Sequence, residues 1–170
     1  VEPVELVAGP GNVYVQLAKA QVAGRVGTDN GFYGPSEIVT LADQTADPAR
    51  VASDLIAQAE HDPGKCFLVA WQREVLDAIT GEVDRQLAAR TRREAIEQAL
   101  RDESAAVLAA DEDGAMTLVN ALAAEHVNLA VRDPEEALEK LDHAWEVFLG
   151  DAAPVAAGDY YAGPSHCLPT

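Results

Sequence analysis

The stretch SEIVTLADQTADPARVASDLIAQAEHDPGKCFLVAW, residues 36–71, decides the fold. It opens with SEIVTLA, an apolar run that reads as a strand. DPARVASDLIAQAEH then shows helical spacing, with Asp47 as its N-cap and Pro48 at its first helical position. CFLVAW returns as a compact apolar run, the pattern of a strand covered on both faces. Strand, helix and strand in this order call for parallel pairing through a crossover.

The same alternation extends outward. Upstream, VELVA (residues 4–8) reads as a strand stopped by GPG, and NVYVQLAKAQVAG as a helix. Downstream, REVLDAITGEVDRQLAAR and RREAIEQALRDE read as amphipathic helices, AAVLAA as a strand, GAMTLVNALAA as a helix and HVNLAV as a strand. DPEEALEKLDHA repeats the Asp-Pro helix start, WEVFLG is a last strand, and the final stretch is loop-like. The class is therefore α/β, a Rossmann-like three-layer sandwich with a mostly parallel sheet. Residues 1–170 read as a single α/β domain. The Gly-rich segment 27–35 is the best lobe boundary, with 1–35 a remnant of a neighbouring lobe and 36–170 the main one.

A chain of 170 residues buries about 70% of its unfolded surface. Aromatics are only 5%, so the core is expected from small and β-branched side chains. The net charge of −17 disfavours nucleic acid and anionic membrane surfaces as partners, since both need clustered Lys and Arg. No apolar run approaches the length of a membrane span. Two cysteines, Cys66 and Cys167, leave a disulfide open but do not make a secreted framework; Cys66 reads as a small buried hydrophobe, and a reducing cytoplasm is the expected compartment. The chain opens at Val1 without Met and stops in SHCLPT, so both ends read as cuts in something longer.

In doubly wound sheets ligands bind beyond the carboxyl ends of the strands. Four clusters at element ends are expected on that side. GPGN (residues 9–12) suits an anion at a helix N-terminus, or simply a tight turn with Asn12 as N-cap. Gln58 and His61, three apart, share a helix face and offer an O and an N donor; alternatively they form a polar last turn, with His61 favourable at the negative helix end. Glu125 and His126 put a carboxylate beside an imidazole, groups able to move protons near neutral pH, or else form a hydrated connection. Asp159 and His166 sit on a Gly/Pro-shaped loop that is either functional or an ordinary tail. His143, on the helix EEALEKLDHAW, reads as structural. Gln58, His61 and Asp159 together offer the N/O donors that zinc accepts, with Glu125, His126 and His166 around a substrate.

AGPGNVYVQLAKAQVAGRVG, GPSEIVTLAD, VASDLIAQAEHDP, AEHVNLAV and FLGDAAPVAAGDYYAGPSHCLPT occur in the order and spacing of one family. On these segments the chain resembles the histidinol dehydrogenase family. The resemblance implies an oxidoreductase that takes L-histidinol to L-histidine in two hydride transfers through an aldehyde, with Zn2+ and NAD as cofactors. It implies Gln58, His61 and Asp159 as metal ligands that also contact substrate, and Glu125 and His126 as the catalytic pair. Ser36 and His166 would be substrate contacts and Asn12 a cofactor contact. The family's fourth zinc ligand, a His, and a substrate-binding Glu belong to a C-terminal tail donated across a dimer, and most cofactor contacts to an N-terminal portion; neither stands in this sequence. A homodimer or other homo-oligomer is expected, with little or no turnover from the 170-residue chain alone. The alternatives are a zinc- or imidazole-binding module that has lost the cofactor half, and an assembly scaffold.

Overall fold

The computed structural model describes residues 2, 4–9, 12–28, 36–61 and 64–162, with the side chains of 159 and 160 excepted. Five parallel strands form the main sheet: β3 (Ser36–Ala42), β4 (Gly64–Ala70), β5 (Ala105–Leu108), β6 (His126–Ala130) and β7 (Glu146–Leu149). They are ordered β5-β4-β3-β6-β7, so β3 is central. Two-residue strands β1 (Leu6–Val7) and β2 (Gly27–Thr28) pair in a separate parallel ladder. Between them runs α1 (Val13–Val22), where the side-chain oxygen of Asn12 accepts from the backbone N–H of Tyr14 and of Val15. Most of the expected lobe boundary, 29–35, lies outside the described residues.

The period-2 alternation of β3 sorts its side chains between two cores. Ile38 and Ala42 face α2 (Pro48–Ala59), α3 (Arg73–Leu87) and α4 (Arg93–Asp102), meeting Leu55, Ile79 and Ile96. Val39 and Leu41 face the other way, toward α5 (Glu112–Leu122) and α6 (Pro134–Glu139), meeting Met116, Val119 and Ala137. Both faces of β3 and β6 are covered, which is why these strands read as continuous apolar runs. Asp47 caps α2 through Ala49 N–H, with Pro48 opening the helix. Cys66 is a free, buried thiol donating to Leu55 O, and its burial pushes its pKa up to about 12.

Three expectations need correction. The strand read at 4–8 is reduced to Leu6–Val7. The helix read through residue 144 stops at Glu139, where Lys140 closes the turn onto Ala137 and Leu138 carbonyls; His143 therefore lies beyond the helix and is exposed. The final stretch is not all loop, since Gly158–Ala162 forms a short π-helix.

Beyond β7 the chain folds back over β6 on the α2 side. Asn128 Nδ2 donates to Gly150 O and Ala153 O, Asp151 accepts from Asp47 N–H at 2.6 Å and pairs with Arg50, and Val155 N–H donates to Asp54 Oδ1 at 3.0 Å. Burial raises the Asp54 carboxyl from 3.8 to about 6, against the Val155 hydrogen bond. The folded chain therefore holds one more proton than the unfolded chain between these values. Stability falls as pH rises through that window. Asp54→Asn keeps the acceptor for Val155 and removes the buried charge. It is expected to flatten the pH dependence and to add about 1–3 kcal/mol at pH 8 in urea unfolding. A variant less stable than the parent at pH 8 would contradict this account of Asp54.

Candidate functional site

All five strands of the main sheet run the same way, so their first residues share one edge. The register puts Ser36 opposite Gly64, Ile38 opposite His126, and His126 opposite Glu146. Ser36, the Gln58–His61 turn leading into Gly64, and the Glu125–His126 junction therefore all lie at the amino edge of the sheet. The expectation that these groups face the carboxyl ends is thus overturned. The reason is connectivity: each residue group ends a helix or opens a strand, and helices return the chain to the amino edge.

Gln58 lies in the last turn of α2 and is only 3% exposed. Its Nε2 donates to Ser36 Oγ at 2.8 Å, which fixes the amide and leaves Oε1 as the atom with ligand chemistry. His61 follows at the exposed surface, its backbone N–H donating to Gln58 O. Gly64 makes this turn possible. A Cβ there would stand 2.3 Å from Gln58 O and 2.9 Å from His61 O, both backbone atoms that cannot swing aside. The helix C-terminus also places partial negative charge at this edge, favouring a cation.

His126 opens β6 and is 4% exposed. A carboxylate faces each of its ring nitrogens: Glu125 Oε2 lies 3.4 Å from Nδ1, and Glu146 Oε2 lies 3.6 Å from Nε2. Glu125 Oε2 and His126 Nδ1 are buried without a hydrogen-bond partner among the described residues, a state that folded proteins seldom tolerate without a use. Glu37, beside Ser36 on β3, completes the acidic ring. Desolvation raises its pKa, with Lys65 opposing and the Glu125 carboxylate adding to the rise. The hydrated-connection reading of Glu125 and His126 does not fit this burial.

Glu37 and Glu146 went unnoticed in the sequence. A signal was present: an acidic residue stands at the mouth of three apolar strands, in SEIVTLA, EHVNLAV and WEVFLG. Glu146 also packs against Gly158, where a Cβ would stand 2.6 Å from both of its carboxylate oxygens. That contact brings the turn carrying Asp159 against the His126 cluster, although only the backbone of Asp159 is described. His166 lies outside the described residues, and so do Pro10 and Gly11 of GPGN. Asn12 is exposed, at the head of α1. Among the described residues no three His, Cys, Asp or Glu side chains converge as a metal cage; Gln58 and His61 offer an amide oxygen and an imidazole nitrogen, donor types that zinc accepts.

The family model described as histidinol dehydrogenase matches residues 1–170. The histidinol dehydrogenase of Rhodopirellula baltica is 47% identical over 167 residues, covering 98% of this chain and 36% of that protein. That of Gloeobacter violaceus is 46% identical, covering 100% and 38%, and that of Bacillus subtilis 44%, covering 100% and 40%. The crystal structure of histidinol dehydrogenase from Elizabethkingia anophelis superposes with a TM-score of 0.87 at 35% identity, over the whole of this chain and 39% of that one. A gamma-glutamyl phosphate reductase from Thermotoga maritima shares the fold alone, with a TM-score of 0.56 at 13% identity over 92% of this chain and 43% of that one. The chain thus spans 36–40% of the length of these curated relatives.

The Gly64 contact carries a direct test. Gly64→Ala is expected to destabilise the fold by about 1–3 kcal/mol, because backbone and not side chain must yield. In amide spectra the changes should centre on residues 58–61. A variant as stable as the parent would show that the turn has room it does not have here.

Proposed function

The chain belongs to the histidinol dehydrogenase family, and from that premise we propose that it carries the metal- and substrate-binding part of an NAD-dependent enzyme oxidising L-histidinol to L-histidine. The observation that carries this reading is the buried contact of Glu125 with His126, whose Oε2 and Nδ1 have no hydrogen-bond partner among the described residues. Gln58, His61 and Asp159 would hold zinc, Ser36 and His166 would contact substrate, and Asn12 would contact NAD. When bound, zinc fixes the substrate through its nitrogens, and NAD accepts a hydride at each of the two oxidations.

The remaining chemistry falls to this chain's own groups. His126 takes the proton of the alcohol hydroxyl as the first hydride leaves, giving the aldehyde. Glu125 takes a proton from the water that adds to the aldehyde carbon while His126 returns its proton to the carbonyl oxygen, and His126, neutral again, takes a hydroxyl proton of the resulting hydrate as the second hydride leaves. The low exposure of both groups keeps bulk water from these steps. Ser36 Oγ, bonded to Gln58, holds a ligand side chain in a single orientation.

For these 170 residues alone, which span 36–38% of the Rhodopirellula baltica and Gloeobacter violaceus relatives, the reading is narrower: zinc binding without sustained turnover. Calorimetric titration of the metal-free chain with zinc tests this, alongside NADH production from histidinol. The expected result is one-to-one zinc binding, abolished in His61→Ala, with no steady NADH signal. Zinc binding that His61→Ala leaves intact would remove the assigned ligands. Steady turnover would remove the narrower reading and keep the wider one.

A further inference from the structure

The opposite edge of the sheet holds a second constellation, independent of the family site. A cavity of about 460 Å³ lies between α2, the β3–β6 strand pair and the segment after β7. That volume is in the range of small-molecule sites, about 300–1,000 Å³. Thr40 and Asn128, register partners on β3 and β6, line it and are 1% and 3% exposed. Thr40 Oγ1 and Asn128 Oδ1 are both buried without a hydrogen-bond partner among the described residues. The Asn128 amide is not free to turn, because its Nδ2 is spent on Gly150 O and Ala153 O. Asp54 lines the same cavity with Oδ1 held by Val155 N–H, leaving Oδ2 as an acceptor.

We propose that this cavity is a binding site for a small primary ammonium compound. The inner polar groups are a carboxylate, an amide oxygen and a hydroxyl. Together they can accept three hydrogen bonds, the number an ammonium group donates. Among the described lining residues the cation is Arg50, whose ion pairs are with carboxylates other than Asp54: Asp47 at 3.6 Å and Asp151 at 3.2 Å. The Cys66 thiol of β4, which lies near Asp54, stays neutral because burial pushes its pKa up to about 12. Val51, Ala57 and Pro154 provide apolar wall for a short alkyl chain. Arg50 and Asp151 also line the cavity, and Asp151 follows β7 at the carboxyl ends of the strands, where parallel sheets usually take their ligands.

The test is an amide-resolved NMR titration of the 170-residue chain with n-propylammonium chloride, and with propan-1-ol as the uncharged match. Saturable shifts are expected at Thr40, Asn128 and Val155, with affinity for propan-1-ol or in Asp54→Asn weaker by about tenfold or more. Asp54→Asn keeps the Val155 hydrogen bond, so lost affinity in a folded variant reads the charge and not unfolding. Affinity is expected to fall between about pH 8 and about pH 5, as Asp54 takes its proton near 6. Thr40→Val should weaken binding through one hydrogen bond. Shifts confined to Glu37 and His126, equal binding of the alcohol, or no saturation at millimolar probe would each overturn the proposal, the last assigning the cavity to water.

Discussion

β3 is hydrogen-bonded to β4 on one side and β6 on the other, and Ile38 to Ala42 are buried on both faces. With no solvent-facing side, this strand admits no slip of register: a shift by one residue would exchange the sets that meet α2 and α5. Its register then fixes the others. Ser36 is set opposite Gly64, and Ile38 opposite His126, and from His126 the position of Glu146 follows. The clustering of functional groups at one edge is therefore a consequence of packing in the middle of the sheet. No special loop is needed to gather them.

Two close backbone approaches refine that edge. Gly64 lets the start of β4 pass under the last turn of α2, and Gly158 lets the post-β7 turn close on the Glu146 carboxylate. Each missing Cβ brings a candidate ligand segment, Gln58–His61 in one case and the turn of Asp159 in the other, against the strands. Buried carboxylates would ordinarily repel one another here. The edge gathers Glu37, Glu125 and Glu146 around one imidazole, with Lys65 the basic group that offsets Glu37. At Glu37 burial and the neighbouring Glu125 carboxylate raise the carboxyl pKa against Lys65.

The alternation of period 2 and period 3.6 made the strand–helix–strand unit at 36–71 legible from the sequence, since β3, α2 and β4 are long enough to show it. The Asp-Pro start marked both helices, since proline at the first helical position is local chemistry, but only Asp47 caps its helix through its side chain; Asp133 makes no such bond. The end of α6 was not legible. EALEKLDHA keeps helical spacing past Glu139, but the chain there turns to bond Asn120 on α5 through Lys140 O and Asp142 N–H, a tertiary contact that spacing cannot report. The choice of edge failed for a related reason. Gln58, His61, Glu125 and His126 were recognised as a group, yet which side of the sheet they occupy depends on strand direction. Glu146 stands at the mouth of its own strand in the sequence, but its place opposite His126 follows only from the pairing of β6 with β7.

Strand direction also separates two kinds of chemistry. Helices that precede strands end at the amino edge and bring carbonyl-rich, partially negative termini there; helices that follow strands begin at the carboxyl edge and bring N–H donors. At the carboxyl edge the chain answers those donors with its own acids: Asp47 and Asp111 cap α2 and α5, Asp43 accepts from Thr45 and Arg132, and Asp151 accepts from Asp47. These carboxylates are consumed by the fold. At the amino edge the acids add to helix ends of the same sign, and Glu125 Oε2 and His126 Nδ1 are buried without a hydrogen-bond partner among the described residues. The surplus of negative charge in the sequence is thus spent structurally on one side of the sheet and held in reserve on the other.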